Sequence, residues 1–236
     1  MLRSTRIPVA VILALGLVAL GFFIGDGLRH IRSTDRFVNV RGLAERAVTA
    51  DTAQLMIKVE HNGSAPTAIF PLMTETQNQV LAFLQQAGLK PEEIEVGQWS
   101  TARSSPEDLK NDPSLPRFTS AGVIGVLTHN ITAAQDIYRQ VNDLRIKTNG
   151  GVTDTDVVYS FRGIGPLRAE MIAAATKDAR NAALQFAQDS GSQVGSIRNA
   201  SQGAFQITAP GLDSDDPKSL HKTVRVVTTV DYELRD

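Results

Sequence analysis

Four histidines, His30, His61, His129 and His221, are the side chains best placed to move a proton near neutral pH or to ligate a metal. None shares H-x-x-x-H or H-E-x-x-H spacing with another ligand, so no metal motif can be assembled from them. His61 and His129 each follow a strand-like stretch and could meet in space; the plainer reading is two exposed loop-edge residues. Asp154 and Asp156 alternate on a predicted strand and so share a face, where paired carboxylates could do acid/base work or hold a hard cation. A solvated turn accounts for them more simply, and Asp213, Asp215 and Asp216 read as a flexible acidic loop. A hydrolase or metal enzyme would need His61, His129 and Asp154 or Asp156 to converge.

Other candidate motifs fail on detail. In "GSQVGS" the serine directly follows the glycine, which is not the G-x-S-x-G of a nucleophile elbow. Gly163 and Gly165 precede a helix, where amides could receive an anion, but Arg168 stands where a dinucleotide fingerprint needs its third glycine. A plain strand-to-helix turn is the simpler reading. The N-x-[ST] matches at Asn62, Asn130 and Asn199 are glycan acceptors only in a secreted eukaryotic chain. Cysteine is absent, which removes disulfides and thiol chemistry. These residues support no catalytic, cofactor-binding or metal assignment, and the expectation is a chain that is not an enzyme and carries no cofactor.

The elements that must position these residues begin after an unusual start. Residues 7–24, "IPVAVILALGLVALGFFI", are 18 positions without a charge. At about 1.5 Å per residue they span about 27 Å, close to the hydrocarbon core of a bilayer. The span is long for a signal peptide and "GDGLRHIR" follows it, so residues 1–32 read as an uncleaved signal anchor, with a cleaved signal as the alternative. Arg3 and Arg6 on one flank are balanced by Arg29, Arg32 and Arg36 on the other, leaving orientation open. Residues 33–236 then form one domain. They carry 20 basic against 24 acidic side chains, and the basic residues do not interleave with aromatics, so nucleic acid is not an expected partner.

Within that domain "TAQLMIKVE" (52–60) alternates Ala53, Leu55, Ile57 and Val59 against polar neighbours, a half-buried strand. A short strand over 37–41, broken at Gly42, precedes it. A helix is expected over 66–87, kinked or delayed by Pro71, and a strand over 94–104. A mobile loop, "SSPEDLKNDPSLPR" (104–117), leads to a strand over 118–128. "TAAQ" (132–135) has capping-box spacing and opens a second helix; a strand over 155–162 comes next. Pro166 starts a long alanine-rich helix ended by Gly191, followed by a strand over 194–207 with a glycine break and a strand over 221–235. In that helix Ala175, Ala179, Ala182 and Ala183 permit close packing, with Met171, Ile172, Leu184 and Phe186 as apolar bulk. The order β-β-α-β-β-α-β-α-β-β lacks strict β/α alternation. It indicates an α+β fold, a mixed or mostly antiparallel sheet with helices packed on one face, preceded by one N-terminal transmembrane helix.

Three stretches carry a resemblance. Val40, Gly42, Asp51 and Ala53 fit a V-x-G, spacer, D-x-A pattern, with Ala50 replacing the usual proline. Leu84, Ala87, Gly88, Leu89, Glu93 and Ile94 fit L-x-x-A-G-[IL]-x-x-x-[DE]-I. Ala175, Asp178, Ala179, Arg180, Ala183, Ala187, Gly191, Val194, Gly195 and Ile197 fit a helix-to-strand pattern. In order and spacing residues 36–235 resemble the SIMPL-domain family of bacterial envelopes and of an animal kinase-associated protein. Trp99 and the 104–117 insert depart from the family pattern, so nothing carries over to that loop. The resemblance implies an envelope domain without established catalysis, sometimes assembled into rings, with members linked to stress tolerance and signalling adaptors. It orients residues 33–236 outward: a bacterial inner-membrane anchor with a periplasmic domain, or a soluble periplasmic protein if the signal is cleaved. The expected partners are the membrane, through residues 7–24, further copies of the chain, and an unknown protein. A small-ligand or peptide module, with a helix–sheet groove gated by residues 104–117, is the alternative.

Overall fold

The structure is a computed structural model that describes residues 15–18, 20–21 and 36–235. The expected anchor over 7–24 lies largely outside the described residues, and so does His30. Among those described, no helix is long and apolar enough to cross a membrane.

The chain forms β1 (Phe37–Thr49), β2 (Thr52–Gly63), α1 (Pro66–Gln86), β3 (Ile94–Val96), β4 (Ser100–Arg103), α2 (Pro106–Asn111), β5 (Phe118–Thr128), α3 (Ile131–Arg139), α4 (Val141–Lys147), β6 (Val152–Ser160), α5 (Ile164–Asp189), β7 (Gln193–Gln202), β8 (Gln206–Thr208) and β9 (His221–Arg235). The class is α+β as expected, but the strands build two antiparallel sheets, not one. One sheet runs β1-β9-β7 with β8 also on β9; the other runs β3-β5-β2-β6 with β4 also on β5. Two compact units divide the backbone. Among the described residues from 36 onward, the first comprises 36–45, 169–205 and 226–235, and the second 46–168 and 206–225.

In the second unit β2 is central. Ile57 lies opposite Ile124 on β5 and Thr155 on β6, so the alternation in the sequence puts Ala53, Leu55, Ile57 and Val59 on one buried face. Ile69, Met73, Val80 and Leu84 of α1, Ile137 of α3 and Leu144 of α4 pack with them in one core, which places the helices on that face as expected. α1 runs through Pro71. Proline here forgoes one backbone bond near the helix start without ending the helix. Asn130, not Thr132, caps α3: its side-chain oxygen accepts from the Ala133 amide at 3.1 Å. The expected strand over 94–104 splits into β3 and β4. The strand over 194–207 is interrupted, as expected, at a glycine: Gly203 separates β7 from β8. The insert at 104–117 contains α2 and is closed at its base, where Ser104 donates to Arg117 O (3.0 Å) and, through Oγ, to Pro116 O (2.6 Å).

In the first unit Gly42 does not break β1, which continues through it to Thr49. A Cβ at position 42 would collide with the Ala175 carbonyl oxygen and the Ala179 amide nitrogen, so glycine lets strand and helix backbones touch. Next to it, the Leu43 amide donates to Asp178 Oδ2 at 2.9 Å, tying β1 to the same turn of α5. The buried stripe of α5 is Met171, Ala175, Ala179, Ala183 and Ala187, an i, i+4 row. Leu184 and Phe186, expected to supply apolar bulk, are exposed, and so is Ala182, expected to permit close packing. They lie off the row that meets the sheet, and the close approach at Gly42 leaves room only for methyl groups.

Gly42→Ala should therefore force backbone apart and destabilise the fold by about 2–4 kcal/mol. Gly88→Ala strains only its own positive φ of 90° and should cost about 1 kcal/mol. Urea unfolding of the two variants side by side measures the difference.

Candidate functional site

The polar groups converge at one end of the second unit, where β2 begins, β5 ends and β6 turns into α5. Asp51 is the hub. Its carboxylate accepts from the Arg162 amide (Oδ1, 3.0 Å), the Gly163 amide (Oδ2, 2.7 Å) and the Thr52 hydroxyl (Oδ1, 2.8 Å). Burial pushes the Asp51 pKa upward, but the bonds from Arg162, Thr52 and Gly163, with the nearby His129, outweigh it and hold the carboxyl below its ordinary range. The amides before α5 do receive an anion, as the glycines there suggested, and the anion is the chain's own Asp51.

His129 sits beside it with Nδ1 at 2.8 Å from the Asp51 carbonyl oxygen. A carbonyl only accepts, so Nδ1 carries the hydrogen. Thr52 Oγ1 lies 3.4 Å from that same nitrogen, and its own hydrogen goes to the Asp51 carboxylate. Asp, His and Thr thus do not form a Thr–His nucleophile pair: the Thr52 hydroxyl donates to the Asp51 carboxylate and not to the imidazole, and Thr52 is buried. Nearby, Glu93 accepts from the Thr128 hydroxyl (2.6 Å) and the Lys90 amide (2.8 Å), bonds that lower its pKa against a smaller effect of burial. A hollow of 320 Å³ opens here between Gln54, Glu93, Glu95, Gly125, Leu127 and Arg162.

His61 is elsewhere. The pairing of β2 with β5 sets Ala53 against Thr128 and His61 against Ser120. His61 and His129 are therefore separated by about nine strand residues, or about 30 Å. His61 Nε2 is 2.7 Å from Thr76 Oγ1 and lies under the turn at Gly151, where a Cβ would come within 2.5 Å of it. Burial lowers its pKa against an opposing pull from Glu75.

Asp154 and Asp156 lie on the face of β6 away from the core. Asp154 Oδ1 accepts from the Thr155 amide, and Asp156 pairs with Lys218. Asp215 pairs with Lys222, and Asp216 accepts from the Lys218 amide at 2.9 Å, so the acidic stretch is pinned rather than loose. Among the described residues, no three His, Asp or Glu side chains come close enough to share a metal ion. A second hollow, a groove of 1010 Å³, follows the outer face of α1 past Phe70, Pro71, Thr74 and Asn78, with Trp99 edge-on to Phe70. None of residues 104–117 lines either hollow. No motif in the sequence points to the buried Lys222; its in-phase position with Val224 and Val226 is the signal that could have found it.

Two acid-side signatures follow. The stability that Asp51 contributes is full above its ordinary value of 3.8 and is lost as pH falls through the folded value. Asp51→Asn should flatten that limb and lower stability at pH 7 by about 2–3 kcal/mol. A neutral, half-buried His61 contributes above 6.5 and loses its contribution as pH falls from there toward its folded value. His61→Gln should remove that slope alone. Chemical denaturation between about pH 2.5 and 8 separates the two windows.

The sequence motifs coincide with these structural roles: Gly42 and Ala175 at the close approach, Asp178 on Leu43, Asp51 on the turn, Glu93 on Thr128, and Gly88 and Gly191 at helix ends with positive φ. No curated protein matches the chain. Among solved structures, an uncharacterized conserved protein from Listeria innocua is 10% identical over 77% of this chain and 90% of its own, with a TM-score of 0.25. A hydrolase from the same organism is 11% identical with the same coverage and a TM-score of 0.24. Superpositions this loose carry no conclusion about activity. Residues 38–232 match the SIMPL family, described as protein of unknown function (DUF541), and the chain belongs to that family.

Proposed function

We propose that this SIMPL chain is a non-catalytic, membrane-anchored envelope domain that works by self-association and contact with other proteins. Residues 7–24 serve as the anchor in the bacterial inner membrane and residues 33–236 face the periplasm; a cleaved signal would leave the same domain soluble there. Tolerance of envelope or oxidative stress is the role in keeping with this reading. The observation that supports it is exposed apolar bulk on both units. Leu184 and Phe186 of α5 are both about half exposed, on different sides of the helix; Met56, Val123 and Leu127 lie on the outward face of the five-stranded sheet. Such side chains on packed elements favour burial against a partner.

The groove on α1 favours a second reading, a module that takes a peptide or small apolar ligand. Phe70, 63% exposed, and Pro71 form its floor, with few charges nearby.

Mass measurement of the detergent-solubilised full chain decides between them. A multiple of the protomer mass that falls toward one protomer in Leu184→Gln/Phe186→Gln is the expected result. A single-protomer mass across micromolar concentrations would sink the assembly reading. A retained small molecule would favour the second.

A further inference from the structure

Gly125 sits in the middle of β5 without the usual reasons for a glycine inside a strand. Its φ is not positive, and it lies opposite Met56 on β2 and Glu95 on β3 in ladders that carry no bulge. A Cβ there would meet nothing nearer than Glu95 O at 3.8 Å, whereas one at Gly122 on the same strand would strike Trp99 at 2.6 Å. Packing therefore requires the glycine at 122 and not the one at 125. A strand glycine weakens its strand, and without bulge or bend it marks a place that a ligand or another backbone approaches closely. The bare position at 125 lies on the outward face of the sheet, where it lines the 320 Å³ hollow.

The walls of that hollow carry opposed charges. In the strand order β3-β5-β2-β6, Glu93 and Glu95 come from the β3 side, and Arg162 comes from just beyond the end of β6. Glu93 is fixed: Oε1 accepts from the Thr128 hydroxyl and Oε2 from the Lys90 amide, bonds that keep it ionised. Arg162 is anchored by its backbone amide on Asp51, which leaves its guanidinium unused. Among the described residues, no hydrogen bond or ion pair engages the side chains of Gln54, Glu95 or Arg162. Leu127, about half exposed, adds one apolar surface. Two carboxylates facing one guanidinium are complemented by two positive groups and one negative group. At neutral pH that is a basic α-amino acid, in which an α-ammonium, a side-chain cation and an α-carboxylate share a short apolar stem. A volume at the small end of the roughly 300–1,000 Å³ of small-molecule sites suits a ligand of that size. A phosphate ligand, by contrast, would be repelled by both carboxylates.

We propose that the hollow over Gly125 binds a free basic amino acid, lysine or arginine, with its carboxylate on Arg162 and its two cations on Glu93 and Glu95. Gln54 supplies a further hydrogen bond, and Leu127 covers the methylene stem. No residue of the α1 groove lines this hollow, and neither Leu184 nor Phe186 does, so the site stands apart from both readings of function above. Of the exposed apolar residues that support self-association it shares only Leu127.

Calorimetric titration of the full chain in detergent with L-lysine and L-arginine tests this. Expected is saturable binding of at least one of them. Norleucine lacks the side-chain cation and cadaverine lacks the carboxylate, and each should bind at least about tenfold more weakly. Glu95→Gln should weaken binding by a similar factor, and Arg162→Gln should erase the preference for lysine over cadaverine, a readout that a merely structural role would not move. Gly125→Val fills the floor of the hollow and should abolish binding without lowering the urea midpoint, because its Cβ has space. Leu184→Gln/Phe186→Gln should bind as the wild type does. The absence of saturable heat with either amino acid up to about 10 mM would overturn the site. Cadaverine, or lysine blocked at its α-amino and carboxyl groups, binding as tightly as free lysine would overturn the ligand class. Full affinity in Gly125→Val would overturn the location. Should that variant fail to fold, Glu95→Gln and Arg162→Gln, both at exposed side chains, decide the matter.

Discussion

The second unit depends on where a single carboxylate finds its hydrogen bonds. Asp51 sits in the two-residue link between β1 and β2 and reaches the amides of Arg162 and Gly163, more than a hundred residues later. That contact joins the start of the central strand to the point where β6 ends and α5 begins. Its backbone carbonyl meanwhile holds His129 at the end of β5. Three strand ends are fixed together by one side chain and its own peptide group. Charge-assisted bonds to amides with no other partner are among the stronger polar contacts available to a protein. An apolar residue here would leave two donors at a partly buried turn unanswered.

The same contacts set the direction of the protons among the residues that suggest chemistry. An acid, a histidine and a hydroxyl within hydrogen-bond reach form a reactive set only if the protons run in the right direction. Here the hydroxyl proton goes to the acid and the imidazole proton goes to the main chain. The turn into α5 that could have cradled a phosphate is already engaged by Asp51 through Gly163.

Much of the architecture is legible in the sequence because alternation and helical spacing report which side of an element is buried. The inward rows of β2 and β9 follow from that rule alone. Alternation does not name the neighbouring strand, and so one sheet is the natural expectation for strands that belong to two. The inward row of α5 escapes the rule for another reason. Size is ordinarily a mark of burial, whereas Gly42 brings β1 so near that only methyl groups fit. At the candidate site, His61 and His129 look capable of meeting because each follows a strand; the antiparallel register that sets them at opposite ends of one ladder is a long-range property. The acidic run at 213–216 reads as loose because its partner, Lys222, belongs to a strand whose other inward residues are almost all apolar.

The alanine row of α5 has one further consequence. Alanine has no side-chain rotamers to lose when it is buried, so docking this face of the helix against β1 restricts nothing but backbone. It also has no alternative rotamer with which to accommodate a changed neighbour. The separation of helix and strand is thereby fixed as if by a gauge. A methylene added to the row must move the helix itself. The contact between Gly42 and the backbone of α5 is thus a dimension of the fold, and any assembly built on the outward side of α5 inherits that dimension unchanged.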